Sequence, residues 1–157
     1  MGGPDTYEVE RRQRVDAPPA AVFDRITDFH RWRAWSPWED LDPNLGRTYS
    51  GPEAGVGATY EWEGNRKAGK GRMVITDVDT NKAVTIDLEF LKPFKSRNVT
   101  VFTLEPDGDA TEVTWTMTGP KTFMTRVMGV FSSMDKMIGP DFEKGLQRLK
   151  VDAEAAT

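Results

Sequence analysis

Arg11 and Gln13 stand in a stretch where Tyr7, Val9 and Val15 alternate with Glu8, Glu10, Arg12 and Arg14, so strand parity puts a guanidinium and an amide on the apolar face. An arginine facing inward is costly unless it meets a carboxylate, a carbonyl or water, and it could orient a ligand carboxylate or enolate. A bulge that shifts the register, or an acidic neighbour across the sheet, is the commoner explanation of such a residue. Tyr60 adds a phenolic donor beside Trp62, while Glu61 and Glu63 alternate onto the opposite, solvent face. A cyclisation needs a base near the substrate carbon and a donor for the developing oxyanion. Tyr60 and Arg11 are donors, but no inward carboxylate stands out as the base. His30, just after Phe29, reads as an exposed helix-end residue. The chain has no cysteine and one histidine, so thiolate chemistry and a histidine metal site are excluded and no cofactor is expected. Neither a nucleophile elbow nor a phosphate-cradling loop is present.

The elements that position these groups follow from periodicity. A first strand is predicted over 6–15. Asp16-Ala17-Pro18-Pro19 ends it and opens a helix with Val22, Ile26 and Phe29 at helical spacing. A second short helix around Trp32 and Trp35 is expected to stop before Pro37. Period-two alternation then places strands near 47–50, 58–63, 71–78, 83–90, 98–104 and 112–118, separated by Gly, Pro, Asn and Asp. Gly119-Pro120 reads as a break leading to a short apolar helix with Phe123, Met124, Val127, Met128 and Phe131. A final helix, capped by Ser132 or Ser133, carries Met134, Ile138, Phe142, Leu146 and Leu149 on one stripe. Pro140 should kink it or mark its first turn. The hairpin loops are too short for parallel crossovers. The expected fold is therefore α+β, a curved seven-stranded antiparallel sheet wrapped around a long C-terminal helix, with two short helices after the first strand.

Composition bounds the function. The 157 residues carry 38% hydrophobic and 29% charged side chains, suiting one globular domain over 1–157 with its core at about 6–154. A net charge of -4 argues against nucleic acid as a partner. No apolar run approaches the ~20 residues of a membrane span, and Met1-Gly2-Gly3-Pro4-Asp5 lacks the features of a secretory signal, so a cytoplasmic location is the expectation. The basic run Arg66, Lys67, Lys70 and Arg72 reads as a solvated hairpin tip.

Four segments carry a family resemblance: 15–23 (VDAPPAAVF), 28–38 (DFHRWRAWSPW), 111–115 (TEVTW) and 142–150 (FEKGLQRLK). In this order they resemble the SRPBCC superfamily, the helix-grip group of START-like lipid carriers, birch-pollen-allergen proteins and polyketide cyclases, over nearly the whole chain. The similarity is greatest to the polyketide cyclase/dehydrase branch. It implies a helix-grip fold with a ligand cavity between the concave sheet and the closing helix. The superfamily includes carriers, sensors, cyclases and chaperone co-activators, so it implies no single reaction.

Alternation then predicts the lining of such a cavity. Tyr60, Trp62, Met73, Ile75, Ile86, Leu88, Phe90, Trp115 and Met117 come from the strands, opposite Met134, Ile138 and Phe142 from the helix. A mostly apolar, aromatic inventory with a few polar groups suits a hydrophobic ligand, although the same side chains could simply fill a core. Met124, Met128, Met134 and Met137 would lend adaptability. The segment Trp32 to Trp38, with Ser36 and Glu39 as polar companions, would form a cavity wall or anchor the short helices. The leading expectation is a carrier or sensor that binds a small hydrophobic molecule, such as a lipid, polyketide or aromatic compound, without catalysis. The alternatives are a polyketide cyclase/dehydratase-type enzyme without metal or redox cofactor and a protein-binding, co-chaperone-like module.

Overall fold

A computed structural model describes residues 6–92, 95–120 and 134–156, with the side chain of Met134 excepted. Strand β1 (Thr6–Val15) is followed by helix α1 (Pro19–Thr27) and two 3-10 turns, Phe29–Ala34 and Pro37–Asp40. Six strands follow: β2 (Gly46–Ser50), β3 (Thr59–Glu63), β4 (Lys70–Asp79), β5 (Ala83–Lys92), β6 (Ser96–Asp107) and β7 (Ala110–Pro120), and then helix α2 (Met134–Ala155). The strands form one antiparallel sheet in the order β1-β7-β6-β5-β4-β3-β2, leaving β1 and β2 as its edges.

The sheet bends where its pairing slips. Register shifts fall between Lys70 and Gly71 and between Ile75 and Asp77 of β4, and extra residues of this kind coil a sheet toward one face. The β4–β5 turn puts Asn81 at φ 61°, a conformation asparagine tolerates better than most residues. α2 crosses the concave face chiefly along β1, burying Phe142, Leu146 and Leu149. Phe142 lies flat on Trp115, with ring centroids 4.1 Å apart and planes 7° from parallel. Trp32 and Trp35 pack edge-on to Trp115, and their indole N–H groups donate to the Ile26 and Arg25 carbonyls. These two tryptophans therefore anchor the short helices inside the core.

Three details correct the sequence reading. The chain stays helical through Pro140, whose ring gives no N–H to the ladder, so of the two alternatives the proline does not mark the first turn. Pro37 starts a second 3-10 turn instead of only ending what precedes it, because its fixed φ suits a first helical position. Gly119 and Pro120 continue β7, pairing with Tyr7 and Thr6 at the sheet edge. The expected helix containing Phe123, Met124, Val127, Met128 and Phe131, and the Ser132 or Ser133 cap, lie outside the described residues, as does the Met134 side chain.

Candidate functional site

The inward-facing residues line up in rungs across the strands. One rung runs Tyr49, Tyr60, Met73, Leu88 and Asn98 from β2 to β6, and Gly119 and Tyr7 complete it on β7 and β1. The neighbouring rung toward the sheet end holds Arg47, Trp62, Gly71, Phe90 and Ser96. These two rungs differ from the rest of the face. On β5, Val84 and Ile86 are sealed from solvent, whereas Leu88 and Phe90 on the same side remain half-buried. On β3, Tyr60 is buried and Trp62 is half-buried. The concave face is thus packed shut at the end where α1 lies against β5, β6 and β7 and more open toward the other.

Of the residues expected to line a cavity, Trp62, Met73, Leu88 and Phe90 fall together in this open half. Ile138, one turn before Phe142 on the same helix, is likewise only partly buried. Ile75, Ile86, Trp115, Met117 and Phe142 belong to the closed core. Trp62 is held by its indole N–H, which donates to the Ala68 carbonyl at 2.8 Å, and its ring meets Phe90 edge-on at 5.9 Å.

The open half has a neutral polar end. Tyr7 Oη donates to Asn98 Oδ1 at 2.5 Å, and the Asn98 amide reaches Ser96 Oγ at 3.3 Å and the Leu88 carbonyl at 3.5 Å. All three side chains are buried, and burial pushes the Tyr7 phenol far above its ordinary pKa, so it stays protonated. Gly119 makes room for the pair: a β-carbon there would sit 2.0 Å from Asn98 Oδ1 and 2.8 Å from the Tyr7 ring. Sequence reading placed Tyr7 only as an apolar strand residue and did not single out Ser96 or Asn98.

An ionic cluster occupies the other side. Glu39, on the second 3-10 turn, accepts Tyr60 Oη at 2.8 Å on one carboxylate oxygen and Arg47 Nε at 2.7 Å on the other. The two charged side chains are only 8% and 17% exposed. Burial, and then the bond to Glu39, holds the Tyr60 phenol well above its ordinary pKa. The expectation that no carboxylate points inward is therefore corrected: Glu39 does, supplied by a turn and not by a strand.

Arg11 and Gln13 require a different correction. Parity placed them on the concave side, where β1 runs along α2, so the helix and the strand's own backbone supply their partners. Arg11 donates to Asp135 at 2.7 and 3.0 Å and to Glu143 at 2.8 Å, both on α2, and to the Glu10 carbonyl. Gln13 donates to the Arg14 carbonyl at 2.9 Å. These bonds cover part of an edge that would otherwise invite another strand. The Arg11 charge is met by protein carboxylates and is not left waiting for a ligand.

A shallow surface pocket of about 250 Å³ lies at the β2 end of this face, lined by Phe29, His30, Tyr49, residues 50–53, Ala58 and Thr59. His30 is exposed, as expected, yet stacks on Tyr49 at 3.9 Å and bonds to Asp28. Among the described residues no group of acidic or histidine side chains is arranged to hold a metal ion, and no helix is long and apolar enough to cross a membrane.

Comparison with known proteins gives a family and a fold. The family model described as "Polyketide cyclase / dehydrase and lipid transport" matches residues 6–154. No curated protein matches the chain. Among solved structures, MLL2253 from Mesorhizobium loti is similar with a TM-score of 0.69 and 16% identity, covering 96% of this chain and 98% of that one. DynU16, from the dynemicin biosynthetic locus, gives a TM-score of 0.65 and 18% identity over 96% of this chain and 48% of its own. The Aha1 dimer from Colwellia psychrerythraea gives 0.57 and 18% identity, covering 92% of each chain. At these identities the likeness is one of fold.

Proposed function

Since the chain belongs to the polyketide cyclase / dehydrase and lipid transport family, we propose that it binds a small, largely apolar molecule on the open half of its concave sheet, as a carrier or sensor. The observation behind this reading is the change along β5, where sealed Val84 and Ile86 give way to half-buried Leu88 and Phe90 on the same face. Large apolar side chains that keep solvent access beside buried polar groups are the usual composition of a small-molecule site. Trp62, Leu88, Phe90 and Ile138 would supply the affinity, since burying apolar surface contributes roughly 25 cal/mol per Å² before the costs of association.

Titration with Nile red, a neutral apolar dye, tests the reading. Saturable, stoichiometric emission that weakens at least tenfold in Trp62→Ala and Phe90→Ala is the expected result. A signal that never saturates, or that neither substitution alters, contradicts it.

Glu39 and Tyr60 favour a second reading, a cyclase-type reaction. In an aldol closure of a polyketone, Glu39 would remove the proton from the carbon between two carbonyls, and that carbon would attack a second carbonyl carbon. Tyr60 would protonate the resulting oxygen, and the proton held by Glu39 would pass to Tyr60, restoring both groups with no co-reactant. Turnover of a linear polyketone that Glu39→Gln abolishes while dye binding persists would support this chemistry. Recovery of the polyketone unchanged after prolonged incubation would exclude that reaction for that substrate.

A further inference from the structure

Building on the proposed ligand site, we infer that the class of molecule it takes is uncharged, with a hydroxyl or ketone at its polar end and not a carboxylate. The inference rests on how the arginines near the concave face are spent among the described residues. Arg11 is held by Asp135 and Glu143, and Arg47 by Glu39. Arg25, on α1, is held by Asp152 at 2.9 Å. A ligand carboxylate could recruit any of these only by displacing a protein carboxylate from its bond. What the open half offers instead is the neutral set Tyr7, Asn98 and Ser96.

The hydrogen-bond inventory of that set fits one neutral group. Tyr7 spends its proton on Asn98, leaving the phenolic oxygen able to accept. The Ser96 hydroxyl can donate, and the two bonds made by the Asn98 amide are long, at 3.3 and 3.5 Å, so a ligand oxygen can replace either. A hydroxyl can both donate to Tyr7 and accept from Asn98 or Ser96, and a ketone can accept from the latter two. An anion here would be desolvated without a cation, which is among the most costly burials a protein can make. The apolar remainder of the ligand lies toward β3. Asn98 and Tyr60 sit three strand spacings apart on one rung, about 14 Å, so the strip between them suits two or three fused rings or a medium alkyl chain.

Matched ligands test the class. Displacement of Nile red by 1-dodecanol, dodecanoate and dodecane, and by 2-naphthol, 2-naphthoate and naphthalene, is measured at neutral pH. The alcohol of each set should bind at least tenfold more tightly than its carboxylate. Binding of the carboxylate should strengthen as pH falls and the acid becomes neutral, while the alcohols change little. Tyr7→Phe, which removes one oxygen and leaves the packing, should erase most of the advantage of alcohol over hydrocarbon, and Asn98→Leu should do the same if it folds. Carboxylates that bind as tightly as the alcohols at neutral pH overturn the inference while leaving the ligand site intact. Failure of all six compounds to displace bound dye overturns both.

Discussion

Arg11 and Asp135 meet across the seam between β1 and α2, two guanidinium nitrogens on two carboxylate oxygens at 2.7 and 3.0 Å. The bonds to Asp135 and then Glu143 raise the Arg11 pKa, and the Arg11 bond holds the Asp135 carboxyl below its ordinary range. The contact joins the first described turn of the closing helix to the edge of the sheet. Because these side chains are largely accessible, such pairs contribute modestly and are screened by salt.

Arg11→Met should therefore lower stability by about 1 kcal/mol at low ionic strength, and by less in high salt. Affinity for Nile red should be unchanged, because the guanidinium serves the helix and not the ligand. Chemical denaturation at two salt concentrations, with a dye titration on the same variant, checks both parts.

The same pair fixes a pH dependence. A carboxyl with a depressed folded-state pKa contributes stability above its unfolded value, about 3.9, and loses it as pH falls through the lower folded value. Wild type should accordingly exceed Asp135→Asn in denaturation midpoint at pH 6, and the gap should close as the pH falls through the ordinary carboxyl range and below it. A gap that widens in acid would show that the pairing is not what separates them.

Gly139→Ala tests the close approach of helix and guanidinium. The added β-carbon would lie 2.1 Å from Arg11 Nη2, and the flexible arginine can withdraw. The helix gains about 1 kcal/mol of propensity while the ion pair weakens. Overall stability should change by less than about 0.5 kcal/mol, yet the acid-dependent component should fall to the Asp135→Asn level. Thermal scans at pH 6 and pH 3 separate these effects.

Phe142→Ala removes the ring stacked on Trp115 and should cost about 3–5 kcal/mol, the range for a buried aromatic truncated to alanine. Tyr60→Phe should cost only about 1 kcal/mol, since it deletes one hydrogen bond. Glu39→Leu should cost about 3 kcal/mol because it strands the Arg47 charge. Urea unfolding of the three variants ranks them, and a Glu39→Leu protein as stable as wild type would contradict the ionic role given to that residue.

The strands were legible because alternation is a local property: Val84, Ile86, Leu88 and Phe90 announce their shared face without reference to any other element. Which part of that face is sealed was not legible, since it depends on where the helices pack, α1 against β5, β6 and β7 and α2 along β1. The parity of Arg11 was right, but its carboxylate partners Asp135 and Glu143 lie 124 and 132 residues away on α2, so local pattern could not show that its charge is already met. Glu39 was legible only as a polar companion of the tryptophan segment and not as an inward carboxylate, because its partners Arg47 and Tyr60 lie 8 and 21 residues away. Asn98 sits near the start of its strand, where it resembles a turn residue, and its partner Tyr7 is 91 residues distant.

The most direct test of ligand binding on the open concave half is an amide-resolved NMR titration with 2-naphthol. Perturbations should saturate together and cluster on Tyr7, Trp62, Gly71, Leu88, Asn98 and Gly119, sparing the opposite sheet face around Arg72, Asp87 and Thr103. Shifts confined to the surface pocket around His30 and residues 50–53, or scattered over the outer face, would contradict the account.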